Sequence, residues 1–235
     1  MTSERKLIIA IDGPAGSGKS TIAQHLARKL GYVNLETGAM YRALGVKALE
    51  AGVSLDDETA LHDLAQRSTI ALDPTPLGNR VLLDGRDVSQ RIRDADVTDA
   101  ASRVSVHPKV REWMVSHQRE MGRHGGVIME GRDIGTKVFP DADVKIFLDA
   151  KPNVRAQRRV TQVSAGNDPS RAKQIAEQMA QRDRRDSTRS ESPLVPASDA
   201  VIVDSSNLKI EEVIERIERI VEERLKKASA GGRKA

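Results

Sequence analysis

The stretch Gly13-Pro14-Ala15-Gly16-Ser17-Gly18-Lys19-Ser20 fits the phosphate-binding pattern G-x-x-x-x-G-K-[ST] without a gap. Each residue type has a chemical reason to be there. The glycines let the backbone turn tightly, so that its N–H groups point inward at phosphate oxygens. Lys19 can reach the β- and γ-phosphates, and the Ser20 hydroxyl stands where Mg²⁺ is held. The apolar run Leu7-Ile8-Ile9-Ala10-Ile11 leads in, and a helical stretch from Thr21 to Leu30 leads out. That is the strand–loop–helix setting the pattern requires, and the helix adds a favourable field for anions at its start. Pattern and setting together imply a nucleoside triphosphate site.

A second group of residues could serve an acceptor. Arg42, Arg132, Arg182, Arg185 and Arg189 lie in predicted loops or beside strand and helix ends. Guanidinium groups stay charged and bind phosphate oxygens in pairs, so they can bring two phosphorylated molecules together. Each alone could equally be a surface ion pair, worth about 0–1 kcal/mol. The five histidines match no metal or triad pattern. Guanine recognition commonly uses Asn-Lys-x-Asp, and the chain has no Asn-Lys pair, which argues against a GTPase. A motor or transporter would need transmission elements for which 235 residues leave little room. A small kinase remains.

Composition narrows the setting. With 38% hydrophobic residues and only 2% aromatics, the core must be aliphatic. The absence of cysteine excludes disulfides and thiolate metal sites and suits a reducing cytosol. The N-terminal apolar run is too short for a signal peptide or a membrane span. The net charge is +4, yet between Lys151 and Glu191 there are ten basic against five acidic residues. A clamp over nucleotide phosphates, a solvated basic face and a nucleic-acid surface are the three readings. The last lacks interleaved aromatics.

These residues need elements to hold them. Short apolar runs at Leu7–Ile11, Tyr32–Leu35, Val127–Met129, Val144–Leu148 and Ala200–Val203 alternate with helical stretches. Five such strands imply an α/β fold of three layers around a parallel sheet, with ligands beyond the carboxyl ends of the strands. Glu36-Thr37-Gly38 is expected to break the chain before a helix from Ala39 to Glu50. Thr69–Leu72 and Val81–Leu83 read as an inserted antiparallel hairpin around the turn Asp73–Asn79. Two basic helices, about Asn153–Val163 and Ser170–Asp186, flank a loop at Ser164–Pro169. A final helix, about Ile210–Leu225, carries an apolar stripe expected to pack in the core, and 226–235 reads as a basic disordered tail.

Several segments jointly resemble the bacterial cytidylate kinases: the phosphate loop with Thr21, Thr37-Gly38-Ala39-Met40-Tyr41-Arg42, Gly131-Arg132-Asp133-Ile134-Gly135-Thr136, Phe139-Pro140-Asp141-Ala142, Arg182-Asp183-Arg184-Arg185-Asp186 and Pro193-Leu194-Val195-Pro196. The resemblance spans about residues 6 to 225. It implies a P-loop kinase domain over 1–225. The core would comprise 6–60, 107–158 and 190–225, a monophosphate-binding insertion about 61–106, and a helical lid about 159–189. It implies transfer of the ATP γ-phosphoryl group to CMP or dCMP with Mg²⁺. The implied setting is a cytoplasmic monomer with small-molecule substrates and neither nucleic-acid nor membrane partners. By position, Gly13 to Thr21 and Arg158 would bind ATP. Lys19, Arg132, Arg182 and Arg189 would act on the transferred group. Thr37, Arg42, Arg132 and Arg189 would hold the acceptor phosphate, Arg182 and Asp186 the ribose. Ser102, Arg111 and Asp133 would read cytosine, though Asp133 could instead pair with Arg132 or cap its loop. Two residues depart from the commonest pattern. Ser20 stands where many monophosphate kinases have glycine, leaving Ser20 or Thr21 as the hydroxyl nearest Mg²⁺. Glu130 stands where aspartate often precedes Gly-Arg-Asp, keeping the carboxylate.

Overall fold

A computed structural model describes residues 6–75, 78–163 and 168–231. The first five residues, the hairpin tip at 76–77, most of the loop expected at Ser164–Pro169 and the chain end at 232–235 lie outside the described residues.

Strand β1 (Ile8–Asp12) sits at the centre of a five-stranded sheet. Its neighbours are β6 (Val127–Gly131) on one side and β7 (Val144–Asp149) on the other, with β2 (Val33–Glu36) and β8 (Val201–Asp204) at the edges. All pairings are parallel. The two-residue period of a strand divides the core. Ile9 and Ile11 face one apolar layer with Ile22, Leu26, Val213 and Ile217, which come from α1 (Lys19–Leu30) and α8 (Ile210–Gly231). Ala10, Val127 and Met129 face the other layer, with Leu44 of α2 (Thr37–Glu50) and Met114 of α5 (Pro108–Gly122). The expected parallel sheet between two helical layers is therefore present, and the α8 stripe packs in the core through Val213, Ile214, Ile217 and Val221, while Ile210 stays exposed.

Between α2 and α5 the chain leaves this sheet. It forms α3 (Glu58–Gln66), an antiparallel sheet of β3 (Ile70–Thr75), β4 (Gly78–Leu83) and β5 (Arg86–Asp87), a 3₁₀ turn at Arg91–Arg93, and α4 (Ala95–Val104). The hairpin was expected and its third strand was not. Asn79 ties this sheet to the edge of β2, donating from Nδ2 to the Asn34 carbonyl at 2.8 Å and accepting from the Glu36 N–H at 3.1 Å. After β7, helices α6 (Pro152–Gln162) and α7 (Pro169–Thr188) form a hairpin of their own. The α7 start is a capped one: Asp168 accepts from the Ser170 N–H at 2.9 Å and Pro169 takes the first helical position.

Two expectations are corrected. The strand ends at Glu36 as expected, but α2 begins at Thr37 rather than Ala39, with Glu36 at its N-cap position and no side-chain cap bond. Residues 226–231 continue α8 to Gly231. Lysine and alanine favour helix, and charge alone does not stop one before the next glycine. No helix among the described residues is long and apolar enough to cross a membrane.

Candidate active site

The sheet register brings Glu36 level with Glu130, Asp12 level with Gly131, and Asp149 level with Asp204. The polar ends of all five strands thus share one edge. The phosphate loop springs from Asp12 in the middle of it. Gly13, Gly16 and Gly18 have φ of 147°, 76° and 103°, a region where side chains are strained. At Gly13 a Cβ would also lie 2.0 Å from the Leu148 carbonyl oxygen, so the loop presses on β7 backbone to backbone.

Lys19 is buried at the start of α1 and donates from Nζ to the Pro14 carbonyl at 2.8 Å. Burial pulls its pKa down to about 7, helped by Arg132 and Arg182 and opposed by Glu130 and Asp12. Glu130, also buried, is pushed up to about 7 by burial and by the nearby Glu36 carboxylate. Ser20 donates to Glu130 Oε2 at 2.9 Å, while Glu130 Oε1 has no protein partner. Asp12 accepts from the Ile134 and Gly135 N–H groups at 2.8 and 2.7 Å, yet burial raises its carboxyl to about 6. Thr37 donates to the Glu130 carbonyl at 2.7 Å.

Around this centre the arginines converge. Arg132 donates from Nε to Asp186 Oδ2 at 2.9 Å, and Arg189 Nη1 lies 3.7 Å from Asp186 Oδ1. Burial alone would raise the Asp186 carboxyl, but Arg132, Arg182 and Arg189 overcome it and hold it below the usual range. Arg182 is held down to about 10 by burial and then by Arg132, with Arg42 and Arg159 adding to the effect. Its Nε is buried without a protein partner. Arg42 pairs with Glu36. Guanidiniums gathered at one place, with the Arg182 Nε buried and unpartnered, are arranged for an anion rather than for each other.

The residues expected to read the base are adjacent but not one cluster. Arg111 and Asp133 form a buried ion pair, their side chains 3% and 6% exposed. Arg111 also donates to the Ser105 carbonyl at 3.0 Å and lies over the Tyr41 ring at 5.5 Å. Ser102 is joined to them only through Ser105, whose hydroxyl donates to the Ser102 carbonyl at 3.0 Å. Its own Oγ accepts from Arg185 Nη1 at 3.3 Å. Asp133 therefore pairs with Arg111, not with Arg132, and its carbonyl accepts from the Lys137 N–H in a wide turn at Ile134–Val138.

Beside the loop lies a cavity of about 520 Å³, lined by Gly16 to Ile22 and by Arg158, Arg159 and Ser205. Arg158 donates to the Ser205 carbonyl at 2.7 Å and to the Ser17 carbonyl at 3.4 Å, which places it at the wall of this cavity. Thr21 lines it too and is exposed. Sequence reasoning placed Glu36 at this edge without a role and missed Asp12, Tyr41, Arg155 and Arg159. The spacing i, i+3, i+4 of Arg155, Arg158 and Arg159 was the available signal, since it places all three on one helix face. Among the described residues no group of three or more His, Cys, Asp or Glu side chains could hold a metal; His25 pairs with Glu218 and His107 contacts the Leu55 carbonyl.

The family model for cytidylate kinase matches residues 9–223. The chain belongs to the cytidylate kinase family. Similar members include the cytidylate kinase of Geobacillus kaustophilus (strain HTA426), 50% identical over 222 residues that cover 94% of this chain and 99% of that one. The cytidylate kinase of Anoxybacillus flavithermus (strain DSM 21510 / WK1) is 49% identical over the same shares. That of Solibacter usitatus (strain Ellin6076) is 48% identical over 95% of this chain and 96% of its own. Family membership agrees with the P-loop kinase fold and with ATP as a substrate of this chain.

Proposed function

We propose that the chain transfers the γ-phosphoryl group of ATP to CMP or dCMP, giving ADP and CDP or dCDP. The observation that carries this reading is the arginine cluster. Arg132 and Arg182 lie close enough to Lys19 to depress its pKa, so donor and acceptor charges can be held at one point. Lys19 and the loop N–H groups hold the ATP phosphates, and Arg158 flanks the nucleotide in the neighbouring cavity. Arg42, Arg132 and Arg189, with Thr37, bind the acceptor phosphate; Arg182 and Asp186 serve its ribose. Arg111, Asp133 and Ser102 face the base. A cytosine amino group donates where uracil accepts, which suits a carboxylate already oriented by Arg111.

The acceptor phosphate is an ionised nucleophile, so the reaction needs no strong base. It needs alignment, neutralisation of charge and exclusion of water. Arg132 is held by Asp186 at Nε and by the Gly131 carbonyl at Nη1, leaving Nη2 for phosphoryl oxygens. The donor set fits Mg²⁺: the Ser20 hydroxyl and the unpartnered Glu130 oxygen are hard oxygen ligands beside the phosphate loop. When bound, Mg²⁺ would neutralise charge on the β- and γ-phosphates, with Glu130 acting on it directly or through its waters. The insertion at about 61–106 would carry the acceptor, and α6–α7 would form the lid at about 159–189. The protein would work as a cytoplasmic monomer, for which sedimentation at the mass of one chain is the check.

A coupled ADP-release assay with ATP and CMP, dCMP, UMP, AMP or shikimate tests the reading. We expect CMP and dCMP to stimulate release most, and EDTA to abolish it. No stimulation by CMP or dCMP sinks the proposal.

A further inference from the structure

Arg155 is a buried arginine outside the expected site. One guanidinium joins three separate segments. Its Nε donates to the Ala150 carbonyl at 2.8 Å, just past the end of β7. Its Nη1 donates to the Ala15 carbonyl at 3.2 Å, inside the phosphate loop, and to Asp183 Oδ2 at 2.7 Å, on α7. A lysine could not match this, because its donors do not spread in a fixed planar fork. The loop and α7 also touch at Gly16, where a Cβ would lie 3.0 Å from the Arg155 carbonyl and 3.1 Å from Met179 Cε.

We propose that Arg155 is a positioning residue that couples occupancy of the phosphate loop to the placement of α7. Helix α7 needs such an anchor. Of its 20 residues only Asp186 is fully buried, so apolar packing does little to fix it. Asp183 is the neighbour of Arg182 and lies one turn from Asp186, so the grip on Asp183 sets where both side chains stand. The coupling has a physical route. In a loop of this pattern the N–H groups face the phosphates. The Gly16 N–H belongs to the peptide unit whose carbonyl, that of Ala15, accepts from Arg155. Phosphate bound on the N–H side polarises that carbonyl and strengthens the bond to Arg155, as chained hydrogen bonds do. Nucleotide in the loop thereby tightens the hold on α7.

The kinetic part of the test rests on the phosphoryl-transfer reading; the structural part does not. Hydrogen exchange is followed in the wild type, Arg155→Lys and Asp183→Asn, with and without the Mg²⁺ complex of β,γ-imido-ATP. In the wild type the nucleotide slows exchange in α1 and in α7. In either variant α1 keeps its protection while α7 loses most of the gain. Protection of α7 equal to that of the wild type overturns the proposal. If Arg155→Lys fails to fold, Asp183→Asn, which keeps the shape at the other end of the contact, decides alone. In steady-state assays with CMP, each variant loses on the order of 10–100-fold in kcat, with KM for CMP changed less than about threefold. The double variant is no slower than the slower single one. Additive losses, or an unchanged kcat, also overturn it. A wild type inactive toward CMP refutes the acceptor assignment instead, and the exchange data still judge the coupling.

Discussion

Arg111 and Asp133 neutralise each other in a place water does not reach. Removing one partner strands the other, and breaking a buried pair costs about 3–5 kcal/mol. Asp133→Ala is therefore expected to lower the unfolding free energy from denaturant titration by that much and also to weaken discrimination of CMP from UMP. The ratio of kcat/KM for the two substrates separates the roles: an unchanged ratio assigns Asp133 to stability alone. At this scale the sequence was most legible where chemistry is local. Lys19 and Ser20 announce themselves by spacing within a single loop. Glu130 is named by its place before Gly-Arg-Asp, but its nearness to Glu36, like that of Asp12 to Gly131, is made by strand register across residues far apart in the chain. Arg155 was obscured for a similar reason: its partners Ala15 and Asp183 lie 140 and 28 residues away.

Among the elements, the β1–loop–α1 unit has the least freedom. A methyl group at Gly13 would strike the Leu148 carbonyl of β7, and neither piece of backbone can yield without disturbing the central strands. Gly13→Ala is expected to abolish nucleotide binding and to destabilise the fold by more than the ~1–3 kcal/mol of backbone strain alone. Equilibrium denaturation and titration with a fluorescent ATP analogue check this; wild-type behaviour would refute the close approach. The strands were legible because buried parallel strands are continuous apolar runs. Strand β5 was not, since Arg86 and Asp87 are both exposed and form no pattern. The turn at Ile134–Val138 was hidden too: the Asp12 carboxylate, over a hundred residues away, holds its first N–H groups.

The whole molecule folds around charges it would rather not bury. Glu130 and Asp12 have folded pKa values of about 7 and about 6, raised from 4.5 and 3.8. Their contribution to stability is complete below about pH 4 and is lost as pH rises through 6 and 7. Lys19 has the opposite sign, lowered from 10.5 to about 7, so its contribution is present above 10.5 and is lost as pH falls through 7. Without nucleotide, these three groups together place a stability minimum near neutral pH. Thermal midpoints measured from acid to alkaline pH should show it, and Glu130→Gln should flatten the acid limb. A wild-type profile that rises steadily from pH 4.5 to 7 would contradict the assignment. The layered architecture was readable because the alternation of strands and helices is a property of the entire chain. The sidedness of the core was not, since it depends on which neighbour each strand finds.

Strand β2 ends the main sheet, and an open sheet end invites another chain to add to it. Asn79 presents one amide to that end, satisfying both a carbonyl and an N–H as a further strand would. The insertion, which contributes Ser102 to the proposed acceptor site, thus doubles as a guard against self-association. A protein whose insertion swings away from β2 would uncover a sticky edge at that moment, so its solubility is tied to how long that swing lasts.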